Sequence, residues 1–337
     1  MTVDPLALTR ELVGIESTTG REGAAAEHMA VLLERLGYRV TRQPVSRDRF
    51  NVYAYREPPV VVFSTHLDTV PPYLPLREDA ERLHGRGTCD AKGLAAAMVA
   101  AAEVLAAEGE RRIGLLFVVG EENGSDGAKA AGALEPKGRY LINGEPTENV
   151  LTIGQKGALR VDLHASGRAA HSAYPSDGAS AIDPLLDTIE SIRRLPLPVD
   201  PLLGPSTLNV GLIEGGVAPN VIPPHASAQI LIRTVEPTGP LRAAIEAAAH
   251  PAVRVTFPVE LPFVKSAPPA AAGWRTGIVS FASDLPFHHA WGRGYQLGPG
   301  TIRVAHTDHE SIGKAELVEG ALLYARLARD LIREDVR

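Results

Sequence analysis

Glu121 and Glu122 stand side by side at the end of the apolar run Ile113 to Val119, just ahead of Gly124. Two adjacent carboxylates at the end of a buried strand repel each other and lose solvation, so something cationic must hold them there, and a metal is the simplest candidate. Partners for such an ion are spread along the chain. Val60 to Thr65 reads as a buried strand that runs into His66-Leu67-Asp68. Residues two apart on an extended segment point the same way, so Asp68 can brace one ring nitrogen of His66 while the other faces a metal. Gly85-Arg86-Gly87-Thr88-Cys89-Asp90 is a glycine-rich turn that delivers Asp90 just before an Ala-rich helix, and a carboxylate on a short constrained loop can bridge two cations. Glu145 follows the apolar strand Tyr140 to Asn143, and His306 opens His306-Thr307-Asp308-His309-Glu310 after Gly298-Pro299-Gly300 and ahead of the last helix.

Each of these residues has an ordinary alternative. His-x-Asp alone is a weak signal, because most histidines are satisfied polar groups. Glu121 and Glu122 alone read first as a solvated loop pair. Asp90 reads equally well as a helix N-cap, and His306 and His309 as surface residues. The metal reading gains from coincidence: His66, Asp90, Glu122, Glu145 and His306 all fall at strand ends or in adjoining loops, where ligands bind in an open α/β sheet.

The elements that must position them follow from periodicity. Asp4 to Ile15 and Glu22 to Leu36 are helical, with Gly37 ending the second helix. Strands and helices then alternate: Asn51 to Tyr55, Val60 to Thr65, helix Lys92 to Ala107, Ile113 to Val119, a helix from Ser125, and Tyr140 to Asn143. That order predicts an α/β fold, a sheet covered by helices on both faces. After Lys156 the pattern changes to strand Ala158 to Leu163, helix Ala179 to Leu195, strands Ser206 to Ile213 and Ala226 to Ile232, helix Pro240 to Ala249 and strand Val253 to Phe257. This is the element order of a ferredoxin-like α+β domain. His306 lies beyond it, so the second domain is inserted into the first, with 262–269 as the return linker.

Composition sets the outer bounds. The 337 residues suffice for two domains, and 45% hydrophobic with 5% aromatic content fits a soluble α/β protein. A formal charge of -6 leaves no basic footprint for nucleic acid. Met1 to Pro5 lacks a basic region followed by an apolar core, so no signal peptide is expected. The most apolar helical stretch, Gly93 to Ala102, stops at Glu103, far short of a membrane span. The single cysteine cannot form an internal disulfide, which is consistent with a reducing cytoplasm. Cys89, a lone thiol beside Asp90, reads as a packing residue rather than a ligand.

The motif set His66-Leu67-Asp68, Gly85 to Gly93, Glu121-Glu122-Asn123-Gly124, Gly144-Glu145-Pro146 and His306 to Glu310 resembles, in order and across nearly the whole chain, that of the dinuclear-zinc metallopeptidase family. This family includes acetylornithine deacetylase, succinyl-diaminopimelate desuccinylase, glutamate carboxypeptidase and aminoacylase. The resemblance implies a zinc-peptidase-like catalytic domain, a mixed sheet flanked by helices, of residues 1–157 and 265–337. It also implies an inserted lid and dimerisation domain of residues 158–264.

By the same resemblance Asp90 bridges two Zn2+ ions, for which Co2+ or Mn2+ can substitute. His66 and Glu145 complete one site, Glu122 and His306 the other. Glu121 is then the general base and Asp68 the partner of His66. Two cations about 3.5 to 4 Å apart can lower the pKa of a shared water and polarise an amide carbonyl, and Glu121 moves the proton to the departing amine. His171, in Gly167 to Pro175, is otherwise an unremarkable turn histidine. The family makes it a donor to the tetrahedral intermediate in the opposite subunit's site, an oxyanion-hole role. Arg233 and Asn220 match substrate-contacting positions, Arg233 suiting a substrate carboxylate, and Gly298 is expected as a third contact.

The implied protein is a cytoplasmic homodimeric amidohydrolase that cleaves an N-acyl amino acid in amino-acid biosynthesis, as acetylornithine deacetylase does. A carboxypeptidase or dipeptidase with the same site is the first alternative, and a catalytically silent binding protein the alternative of another class. Neither nucleic acid nor membrane is expected as a partner.

Overall fold

Val61–His66, every residue of it buried, lies at the centre of the larger sheet. In the computed structural model, which describes residues 3–336, the chain divides into two units. One comprises residues up to 153, 266–277 and 283 onward, the other residues 154–265 and 278–282.

In the first unit Val61–His66 pairs in parallel with Ile113–Val118 on one side and Tyr140–Gly144 on the other, and Tyr140–Gly144 pairs in parallel with Arg293–Leu297. Beyond Ile113–Val118 the sheet continues with Arg49–Tyr55 and then Arg39–Ser46, both antiparallel to their neighbours. At its other end Gln296 pairs antiparallel with Thr152. The sheet is therefore mixed, with parallel strands at its centre. In chain order those four strands lie 2-1-3-4, so the direction of winding reverses between Val61–His66 and Tyr140–Gly144. Crevices at the carboxyl ends of strands on either side of such a reversal are where open α/β sheets bind ligands.

Helix Lys92–Ala107 is the axis of the core. Its residues from Lys92 to Glu103 are all buried, because the alanines let it lie close to helices Pro5–Val13 and Lys314–Asp335 and to the sheet. A helix apolar all round is a buried helix. Gly37, at φ 84°, follows helix Gly23–Arg35 and its cap residue Leu36, as expected of a residue needed in the left-handed region.

The second unit has strand Gly157–Ser166, helix Ile182–Arg193, strands Thr207–Gly215 and His225–Thr234, helix Gly239–Ala248 and strand Val253–Leu261. The four strands form one antiparallel sheet in spatial order 4-1-3-2, which is the ferredoxin-like arrangement. Along His225–Thr234 the residues Ala226, Ala228, Ile230 and Ile232 are buried in a core with Leu185, Ile189, Leu241 and Ile245 from the helices. Arg233, one position out of phase with them, belongs to the opposite face. Thr207–Gly215 is an edge strand, and its Leu212 and Ile213 are exposed.

Candidate metal centre

The carboxyl ends of the four central strands of the first unit deliver chemistry-bearing residues one after another. Val61–His66 ends in His66 itself and continues to Asp68, Ile113–Val118 leads to Glu121 and Glu122, Tyr140–Gly144 to Glu145, and Arg293–Leu297 to Gly298. Gly120, at φ 79°, turns the chain sharply after the second of these, and a side chain there would collide with Asp126. The next residues, Glu121–Asn123, make a single 3-10 turn.

Asp90 is the hub. His66 Nε2 lies 3.0 Å from Asp90 Oδ1 and His306 Nε2 lies 3.3 Å from Asp90 Oδ2, so two imidazoles approach opposite oxygens of one buried carboxylate. His306 Nε2 is also 3.0 Å from both oxygens of Glu122. One ligand atom each from His66, Asp90 and Glu122 lies within 4.8 Å of the others, close enough to share an ion. His306 holds a backbone φ of 62°, in the left-handed region that non-glycine residues rarely adopt, a conformation that clusters at functional sites.

Asp68 ties the other side together. Its oxygens accept the backbone N–H groups of Glu121 and Glu122, each at 3.1 Å, and the Thr19 hydroxyl at 2.9 Å. His66 Nδ1 is 2.9 Å from the Asp68 carbonyl oxygen and 3.5 Å from its carboxylate. Asp68 therefore both orients the His66 ring, leaving Nε2 for Asp90, and fixes the turn that carries the two glutamates.

Charge explains what the donors need. Burial pushes the Glu121 carboxyl well above the usual carboxylate range, and the neighbouring Glu145 adds to it. Burial likewise raises Glu145 well above its ordinary value, with His66 opposing and Asp90 reinforcing the rise. Glu122 is also raised by burial, against the pull of His306. Burial alone would raise Asp90, yet hydrogen bonds from His306 and His66 hold it far below the ordinary value. For His66 burial opposes the charge, but hydrogen bonds to Asp68 and Asp90 raise its pKa well above that of free imidazole. His306 is raised to about 10 by its hydrogen bonds to Asp90 and Glu122. Cations would relieve the crowded carboxylates, and the two imidazoles among them are metal-binding groups, so the donor set fits metal.

Two further groups here have no role assigned from the sequence. Asp284, buried in the first unit, is pushed up to about 7 by burial, and it adds to the raised pKa of both Glu121 and Glu145. It precedes the short helical segment Leu285–Trp291, and nothing in its sequence surroundings marks it. Glu310 was visible as part of the last motif but carried no role. It is buried and accepts hydrogen bonds from the loop that carries Asp90.

Gly298 is held in the loop that follows Arg293–Leu297. Its N–H donates to Thr147 Oγ1 at 2.9 Å, and its carbonyl accepts from Thr147 and Asn149. A Cβ there would lie 2.5 Å from the Glu145 carbonyl oxygen. Gly298 thus lets two loops approach closely, and its backbone N–H and carbonyl are hydrogen-bonded to the Thr147 loop.

Residues 62–330 match the sequence profile of peptidase family M20/M25/M40. The chain belongs to this family. Family M20 members are metal-dependent hydrolases acting on peptide and amide bonds, and this chain is an enzyme of that kind. A peptidase M20 domain-containing protein of Schizosaccharomyces pombe is 38% identical over 96% of this chain and 83% of its own length. A probable carboxypeptidase of Aspergillus clavatus is 37% identical over 96% of this chain and 82% of its own length. Among solved structures, an aminopeptidase from Bacillus cereus superposes with a TM-score of 0.80 at 21% identity, covering 98% of this chain and 99% of that one. A dinuclear metal-binding M20 peptidase from Bacillus subtilis gives 0.70 at 15% identity, over 97% of both chains. These structural likenesses establish the mixed α/β fold.

The second unit holds the remaining expected site residues. His171 is exposed on a loop, and its Nδ1 accepts the Ala173 backbone N–H at 3.1 Å, which leaves Nε2–H as an outward donor. Arg233 is half-buried, its guanidinium pKa lowered by burial, and no acidic partner faces it among the described residues. Asn220 is exposed, its carbonyl accepting the Ser172 N–H. Among the described residues no helix is long and apolar enough to cross a membrane.

Proposed function

We propose that this M20 enzyme hydrolyses the amide bond of an N-acyl amino acid, releasing a carboxylate and a free amine, and that it works as a homodimer with two zinc-class ions per chain. The observation that carries the reading is the approach of His66 and His306 to opposite oxygens of Asp90, the arrangement of a bridging carboxylate. Asp90 would be shared, with His66 and Glu145 completing one site and Glu122 and His306 the other. When bound, the ions would acidify a water and polarise the scissile carbonyl.

The protein's own groups do the rest. Glu121, next in chain to a ligand but without a direct histidine partner, is left as the proton carrier. It would accept a proton from the attacking water and deliver it to the departing amine nitrogen. His171 Nε2–H would donate to the developing oxyanion of the opposite subunit's substrate. Arg233, half-buried and without an acidic partner among the described residues, would receive the free carboxylate that N-acyl amino acids and C-terminal peptide residues share. The unpaired edge of Thr207–Gly215, with exposed Leu212 and Ile213, supports an interface between copies of the second unit.

A second reading keeps the same chemistry on a peptide. It is favoured by the names of relatives more than 35% identical, which are probable carboxypeptidases. Turnover by the zinc- or cobalt-loaded enzyme over N-acetyl amino acids, N-succinyl amino acids and dipeptides separates the two. Preference for the N-acyl substrates supports the proposal, and turnover of dipeptides alone moves the assignment to a peptidase. Inertness toward the whole panel would contradict both.

A further inference from the structure

We infer that Glu310 is a positioning residue that shapes the Asp90 loop for metal before any metal arrives, and that it locks this loop to the segment carrying His306. The inference rests on the reading of Asp90 and His306 as ligands. Glu310 is 1% exposed, and its carboxylate is enclosed by hydrogen-bond donors. Oε1 accepts three backbone N–H groups, from Gly87 at 2.9 Å and from Cys89 and Asp90 at 3.1 Å. Oε2 accepts Arg86 Nη1 at 2.7 Å. The Glu310 carbonyl takes the Gly85 N–H at 3.0 Å, and Arg86 Nη1 also reaches the Thr307 carbonyl at 3.2 Å. Loop 85–90 is thus wrapped around a single anion from the other segment.

This arrangement has the form of an anion-binding nest, successive backbone N–H groups turned toward one negative charge, but with a carboxylate of the protein as the anion. Gly85 at φ 140° and Gly87 at φ 87° provide the conformations that turn the N–H groups inward. The same anchor controls both sides of the bridge. Asp90 is the last residue of the nest, while His306 lies one helical turn's worth of chain before Glu310 and meets Asp90 Oδ2. Strand Ser311–Gly313 pairs with Arg82–His84 immediately outside, so the anchor is continuous with a ladder on both segments. A group that merely filled space would need neither the charge nor three convergent donors. A charge that pre-forms the loop would require both.

The charge makes substitution informative. In Glu310→Gln one end of the side chain becomes a donor, so it meets either the three N–H groups or Arg86 unfavourably. Arg86, 1% exposed, then loses its counter-charge. Chelator-stripped wild type and Glu310→Gln are titrated with zinc, and the cobalt-loaded forms are compared by visible absorption. The expected result is a folded variant whose tighter metal binds at least tenfold more weakly, with an altered cobalt spectrum and a fall in kcat that exceeds any change in KM. Glu310→Asp should recover part of the affinity.

A folded Glu310→Gln with wild-type metal affinity and cobalt spectrum would overturn the inference, even if its melting temperature fell. Should the variants not fold, amide exchange on metal-free wild type decides. Protection at Gly87, Cys89 and Asp90 without metal is expected, and exchange at open-loop rates there would refute pre-formation. Wild-type stoichiometry separates this inference from the reading beneath it, since a chain that never binds a metal fails the reading and not the role of Glu310 in the loop.

Discussion

The two units hold their chemistry in opposite ways. In the first, each candidate ligand leaves a strand end or a braced loop and meets further polar groups: Asp68 alone accepts from Thr19, Glu121 and Glu122. In the second, His171 is exposed with one backbone contact to its ring, and Arg233 has no acidic partner among the described residues. The difference teaches where the enzyme's work is prepared. The first unit gathers buried carboxylates whose mutual repulsion a cation would relieve. The second presents an exposed imidazole and a half-buried guanidinium that faces no acidic partner among the described residues. Metal binding should therefore depend on the first unit alone, and substrate recognition on both.

The largest expected effect separates two adjacent residues. Glu121→Gln should keep metal and substrate affinity while kcat falls by about 10² to 10⁴ or more, the range of general-base catalysis. Glu122→Gln should weaken a metal instead. Equal metal loss in the two variants would erase the distinction between base and ligand.

Next comes the second unit's donor. His171→Ala should lower kcat about 10²- to 10³-fold, as loss of an oxyanion-hole donor does, without loss of metal. Because the residue is exposed, stability should change by no more than about 0.5 kcal/mol. Mixed with Glu121→Gln subunits, it should regain part of the activity, since each heterodimer then contains one site with both defects and one with neither. Confirmed subunit exchange without recovery would remove the cross-subunit role.

Arg233→Ala should act mainly on KM, raising it about 10- to 100-fold, the value of a charge-assisted hydrogen bond to a carboxylate. An unchanged KM for every carboxylate-bearing substrate would show that Arg233 does not read that group.

The smallest effect is on stability and concerns Asp284. Its pKa is raised by burial to about 7 in the folded protein from 3.8, so the folded state binds the proton more tightly than the unfolded chain. The resulting penalty is absent below about pH 4, grows as pH rises to about 7, and is complete above it. Metal-free Asp284→Asn should therefore gain stability over wild type at pH 8 and gain nothing at pH 4. A gain independent of pH between 4 and 8 would contradict the assignment.

Much of the site was legible because its residues follow apolar runs closed by glycine or proline. Val61–His66, Ile113–Val118 and Tyr140–Gly144 each announce themselves, and the candidate ligands lie at their ends or just after them. Arg293–Leu297 escaped notice although it is a central strand, because Arg293-Gly294-Tyr295-Gln296-Leu297 has no apolar run or clean alternation. Its place is fixed by pairing with Tyr140–Gly144, which is a tertiary effect. Arg39–Ser46 was missed for the opposite reason: as an exposed edge strand it carries polar residues and Pro44, all acceptable only where one side of the ladder is open. Asp284 and the binding partners of Glu310 were out of reach for a common reason. Their significance lies in burial and in donors far away in sequence, which no spacing rule encodes.

The central claim is that the first unit is built to hold two cations on Asp90. Metal-stripped protein titrated with zinc under equilibrium dialysis, with elemental analysis of the bound ion, tests it most directly. Two ions per chain are expected in wild type and in Glu121→Gln, with the second lost or weakened in Glu122→Gln. A wild-type occupancy that never rises above one ion per chain under zinc-replete conditions would contradict it.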